Sequence, residues 1–110
     1  IAFNDPDVAN FNDHKLVKIV KLDHVCRQQQ VNEKCFETLE QVPTEALTLT
    51  IPALLKAKWM FCIVPFKNKS QAVYRTIHGD ISEKCPASIL RRKEKSSLYL
   101  DTESAQLLNL

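Results

Sequence analysis

The stretch that most constrains the fold runs from Trp59 to Val64. Six apolar residues, Trp59-Met60-Phe61-Cys62-Ile63-Val64, stand uninterrupted between Lys58 and Pro65. An apolar run of strand length, closed by a proline, predicts a strand covered on both faces, and hence a central strand of a parallel sheet. The residues that follow extend the prediction. Phe66-Lys67-Asn68-Lys69 is a short polar loop, and Ser70 is a candidate N-cap. Gln71 to His78 places Ala72, Val73, Thr76 and Ile77 on one helical side, and Gly79 stands where a left-handed C-cap is expected. A strand, a lysine loop and a helix N-terminus in succession favour an anion, because backbone N–H groups, helix dipole and ammonium charge converge there.

The rest of the chain repeats the alternation of strand and helix. Residues 7–14 are rich in Asn and Asp and read as a loop, with His14 a surface imidazole. Lys15 to Leu22 predicts a strand through its β-branched residues. Asp23 is positioned to cap a helix from His24 to about Lys34. That helix is polar on nearly every side, so it buries little and belongs among the less stable elements. Val42-Pro43-Thr44 is a turn. Ala46 to Ile51 alternates, with Leu47, Leu49 and Ile51 on the apolar face. Thr48 and Thr50 lie opposite, either lining a cleft or serving simply as strand formers. Pro52 suits the first position of a helix over 52–58, and Pro86 starts another over 87–91. Ser97 to Leu100 predicts a strand, and Asp101 or Thr102 caps a last helix through Leu108. Strands alternating with helices mean an α/β fold with a mostly parallel sheet and helices on both faces.

Composition excludes several classes. A net charge of +2 is too small to imply nucleic acid, and Arg91-Arg92-Lys93-Glu94-Lys95 is a short, interrupted cluster that reads as a solvated loop. No stretch approaches the roughly 18 apolar residues of a membrane span. The cysteines Cys26, Cys35, Cys62 and Cys85 form no C-x-x-C pair, so no metal site is expected, and free thiols in a reducing cytoplasm are favoured over disulfides. Gly79 is the only glycine in 110 residues, so no Gly-rich phosphate loop is present. Met60 is the only methionine. Both facts lead us to expect a piece of something larger.

Asn4-Asp5-Pro6 closes the opening motif Ile1-Ala2-Phe3-Asn4-Asp5-Pro6. Pro6 stiffens the turn, so a carboxylate at Asp5 would project from it after a short apolar strand, able to orient an imidazole or accept a proton. The motif resembles the Ile-Ala-Phe-Asn-Glu-Pro signature of the glucosamine-6-phosphate deaminase (isomerase) family. The segments Val42-Pro43-Thr44-Glu45-Ala46-Leu47-Thr48-Leu49-Thr50 and Ala53-Leu54-Leu55-Lys56-Ala57 are similar to the same family's downstream run, in order and at suitable spacing.

The resemblance implies a Rossmann-like sheet, with residues 1–110 the C-terminal portion of a larger α/β/α domain completed by an N-terminal half. It implies conversion of glucosamine 6-phosphate to fructose 6-phosphate and ammonia, with a phosphorylated amino sugar as ligand and no cofactor. It further implies a cytoplasmic protein, a homo-oligomer, and neither nucleic-acid nor membrane partners. Asp5 would stand in for the Glu that supports the ring-opening histidine, one methylene shorter. Lys69 falls at the phosphate-binding lysine. The helix after Asp23 corresponds to the lid, where a phosphate-binding arginine is expected. A gap-free alignment puts Gln30 there, with Arg27 one turn earlier, so either Arg27 substitutes or phosphate binding is altered. The Asp-Gly-His that precedes the family motif is not in this sequence, so the 110-residue chain alone is expected to be inactive. A non-catalytic sugar-phosphate sensor of the same fold, or a related sugar-phosphate isomerase, are the alternatives.

Overall fold

The structure, a computed structural model, describes Ile1 and residues 3–109. Strands and helices alternate as β1 (Val17–Lys21), α1 (His24–Asn32), β2 (Glu45–Leu49), α2 (Ile51–Leu55), β3 (Met60–Val64), α3 (Ser70–His78) and β4 (Ser96–Leu100). Short 3-10 segments fill Leu39–Gln41, Lys67–Lys69 and Pro86–Arg92. The α/β class follows directly from that order.

The sheet is not mostly parallel. Among the described residues β1 pairs with β2 antiparallel, β3 pairs with β4 parallel, and the two pairs are separate sheets. Connection geometry explains the difference. Lys21 at the end of β1 faces Glu45 at the start of β2, so the chain leaves and re-enters the same end of the pair, and α1 is an excursion within an outsized hairpin. The β3–β4 connection instead carries α3 and the Pro86–Arg92 segment back to the strand's starting end. Met60 therefore pairs with Ser96 and Val64 with Leu100.

The period-2 alternation is present, but the faces are inverted relative to expectation. Leu47 and Leu49 are exposed, as are Val17 and Ile19 opposite them, while Thr48 and Thr50 are buried. The polar face is covered because the N-terminal segment ties itself to it. Lys18 sends its Nζ to the Val8 carbonyl and to Asp13 Oδ2 at 3.0 Å, and Asn4 donates from Nδ2 to the Leu49 carbonyl at 3.0 Å. The run at Trp59–Val64 is likewise not covered twice: Phe61 and Ile63 are 66% and 74% exposed, with Tyr99 of β4 beside Phe61. Helices therefore do not cover both faces. Among the described residues only the face of Cys62, Val64 and Leu98 is backed, by α3 and the Pro86–Arg92 segment. Among the described residues six apolar side chains are buried against fourteen large ones exposed, so each sheet keeps an apolar face in solvent.

Several caps follow the sequence. Asp23 Oδ1 accepts from the Cys26 N–H at 2.7 Å and starts α1, in which no residue is buried. Thr50, fully buried, caps α2 by accepting from the Ala53 N–H and donates to the Lys15 carbonyl at 2.7 Å, so it lines no cleft. Ile51 begins α2, placing Pro52 one residue later than predicted, and the helix stops at Leu55. Pro86 opens its segment as expected, though as 3-10. The predicted last helix is a series of turns beginning with Asp101 accepting from the Ser104 N–H.

Other caps differ. Ser70 is already inside α3, whose cap is Lys69; the Ser70 hydroxyl accepts from Gln106 instead. Gly79 ends α3 with an extended backbone (φ −79°), not a left-handed one. It is required for space: a Cβ there would sit 2.7 Å from the Arg75 carbonyl oxygen. Arg91 completes that terminus, donating to the Ile77 and Gly79 carbonyls. Lys93 bridges the two halves of the chain through the Leu55 carbonyl at 2.9 Å.

Candidate functional site

Lys69 opens into a cavity of about 470 Å³ at the carboxyl end of β3. Cys62 and Val64 of β3, Val73 and Thr76 of α3, and Glu33 from the end of α1 share its lining. The walls are mostly apolar. Lys69 is half-buried at the junction of the 3-10 turn and α3, and its N–H donates to the Phe66 carbonyl at 3.1 Å. The first-turn N–H groups of a helix have no partner within it and carry the positive end of its dipole. Here the 3-10 turn already satisfies the Lys69 and Ser70 N–H groups, through the Phe66 and Lys67 carbonyls, so Lys69 brings its charge to the lining through its side chain, and Glu33 is an acidic member of the same lining. Burial raises the Cys62 thiol above its ordinary range, which disfavours the thiolate. A second cavity, of about 390 Å³ between α3 and β4, includes Arg91, whose guanidinium is already engaged at the end of α3.

Asp5 does not follow a strand. The chain turns at residues 1–4, with the Asn4 N–H bonded to the Ile1 carbonyl and Phe3 at φ 62°; Ala2, within the same motif, lies outside the described residues. The Asp5 carbonyl accepts from Val8 and Ala9, while its carboxylate, half-buried, hydrogen-bonds no described residue. Its charge reaches α1: burial first, then Asp5, raises the Cys26 thiol. Asp5 does not line the Lys69 cavity, whereas Ile1 does.

Arg27 is placed elsewhere. Its Nη2 donates to the carbonyls of Leu39 (2.9 Å) and Val42 (3.2 Å), and its buried Nε has no hydrogen-bond partner among the described residues. It ties α1 to the Leu39–Gln41 turn and does not line the Lys69 cavity. Gln30 borders a separate small cavity with Phe3 and Pro43, and His14 is an exposed loop residue. Among the described residues no group of His, Cys, Asp or Glu could hold a metal ion, and no helix is long and apolar enough to cross a membrane. All four cysteines are free thiols.

No family model matches the chain. Curated proteins do. Glucosamine-6-phosphate deaminase of Halalkalibacterium halodurans is 33% identical over 106 residues, covering 96% of this chain and 41% of that protein. The enzyme of the same name from Exiguobacterium sibiricum is 36% identical over 109 residues, covering 99% and 41%. The fold agrees: the solved structure of a monomeric glucosamine-6-phosphate deaminase, described as a missing link of the NagB superfamily, superposes with a TM-score of 0.85 at 32% identity, over 96% of this chain and 42% of that one. The chain matches the glucosamine-6-phosphate deaminase superfamily.

It spans less than half the length of these deaminases. The expectation of a homo-oligomer is overturned, because the deaminase whose structure superposes is described as monomeric. Two residues that hold the segments around the cavity escaped the sequence. Asn4, fully buried, pins the opening motif to the end of β2, and an Asn next to Asp-Pro signalled only a turn. Asp101 reaches across from β4 to the Phe66 N–H at 2.9 Å; its contact depends on the β3–β4 register, which no local pattern reveals.

Proposed function

We propose that residues 1–110 form the phosphate-holding portion of a glucosamine-6-phosphate deaminase domain, acting in the conversion of glucosamine 6-phosphate to fructose 6-phosphate and ammonia. The observation that carries this is Lys69, half-buried at the head of α3 in a cavity large enough for a sugar phosphate, in a chain whose relatives bear that enzyme's name. An ammonium beside a helix N-terminus stabilises a phosphate through charge and backbone N–H groups together. Asp5 would support the ring-opening imidazole, its carboxylate being uncommitted. Arg27, which does not line this cavity and gives Nη2 to two carbonyls, is the secondary candidate. The apolar faces left in solvent on both sheets fit a chain that is one portion of a larger Rossmann-like domain. Four free thiols fit a reducing, cytoplasmic setting.

The test is a titration of isotope-labelled protein with glucosamine 6-phosphate and, separately, with glucosamine. Shifts at the amides of Lys69, Ser70 and Gln71 are expected with the phosphorylated sugar only. Lys69→Ala should weaken that response by about tenfold or more, as loss of a charge-assisted phosphate contact. Equal responses to both sugars, or a Lys69→Ala variant that binds like the parent, would sink the assignment.

A further inference from the structure

Phe66 has φ 80° and ψ 148°, a backbone region that residues with a Cβ rarely adopt. The residue is 65% exposed, so burial does little to compensate. The conformation is held from the neighbouring strand. The Phe66 N–H donates to Asp101 Oδ2 at 2.9 Å, while Asp101 Oδ1 accepts from the Ser104 N–H at 2.7 Å. The Asp101 N–H in turn bonds the Ser104 hydroxyl at 3.1 Å, and Ser104 is fully buried. Val64 pairs with Leu100, so Asp101 follows its strand level with the start of the Lys69 loop. On the other side of Phe66, its carbonyl accepts from the Lys69 N–H at 3.1 Å. An unbroken run of contacts thus joins buried Ser104, the Asp101 carboxylate, the strained Phe66 backbone and Lys69.

We propose that Asp101 is a positioning residue that clamps Phe66 in its strained conformation and thereby sets the direction of the Lys69 loop into the cavity. Without the carboxylate, Phe66 relaxes to negative φ, its flanking peptides turn, and Lys69 leaves its place. The link to ligand binding rests on the anion-site reading of Lys69; the clamp itself does not.

The experiment compares the parent chain, Asp101→Ala, Phe66→Gly and the double variant. Inorganic phosphate is titrated while the Lys69 and Ser70 amides are followed, and Phe66 amide exchange and thermal unfolding are recorded in parallel. Asp101→Ala should speed Phe66 amide exchange and weaken phosphate binding by about tenfold, the scale on which strained backbone states are held. Adding Phe66→Gly should restore binding to within about twofold of the parent, because glycine takes positive φ freely. A residue that merely supported the fold would not be rescued in this way. If Asp101→Ala does not fold, Phe66→Gly alone decides: a higher unfolding midpoint supports stored strain, and a lower one overturns it. Unchanged Phe66 exchange in Asp101→Ala, or failure of glycine to rescue, also overturns the clamp. A parent chain silent to phosphate removes the anion site, and the exchange data then judge the clamp separately.

Discussion

At the scale of single residues, two backbone positions are held by opposite means. Phe66 occupies a conformation suited to glycine, whereas Gly79 occupies one open to any residue and is needed for close approach. Gly79→Ala should therefore destabilise the chain by about 1–2 kcal/mol, because the new Cβ meets the Arg75 carbonyl and the backbone must shift. Thermal unfolding read by circular dichroism checks this. The sequence marked Gly79 correctly as the end of a helix. It misassigned the reason, since a stop signal does not distinguish φ from crowding. Lys69 was legible from its setting between strand and helix. Asp101 was read, with Thr102, as a candidate cap of a last helix; it closes a turn instead, and its second oxygen serves a residue 35 positions away.

At the scale of elements, acid should loosen the loops at both ends of the structure. The Asp101 carboxyl is held below the usual carboxylate range, first by the Ser104 N–H and then by that of Phe66. Asp13 is lowered first by the Lys15 N–H and then by Lys18. A depressed pKa in the folded state contributes stability above the unfolded value, and that contribution is lost as pH falls through the folded value. The unfolding midpoint should thus drop as pH is brought below about 4. The double variant Asp13→Asn/Asp101→Asn should show a flatter profile over the same range. A pH series of thermal melts on both proteins reads the difference. Element type was largely legible, because caps such as Asp23 and the apolar runs act locally. Pairing was not: the antiparallel β1–β2 ribbon depends on α1 returning the chain to the end it left.

At the scale of the whole molecule, stability should be concentrated in few side chains. Ile51 is fully buried, and Ile51→Ala should cost about 2–5 kcal/mol. Ile19 and Ile63 are 66% and 74% exposed, so alanine at either should change stability by no more than about 0.5 kcal/mol. Urea unfolding of the three variants measures the contrast. A large loss at Ile63 would show that its face is covered in solution. Were both faces of each sheet covered, Ile19 and Ile63 would cost about as much as the helix residue Ile51, so the comparison also tests how much of this fold stands alone.

The sequence by itself determined the α/β alternation, the ends of most elements and the lysine at the strand-to-helix turn, because those follow from periodicity and short-range hydrogen bonding. Only the tertiary structure decided strand pairing, which face of each strand is covered, and the contact between Asp101 and Phe66. Alternation specifies that two faces differ. Which one is buried depends on what packs there, and here the opening segment, through Asn4 and the Lys18–Asp13 ion pair, covers the polar face of the β1–β2 ribbon and leaves Ile19 and Leu47 outside.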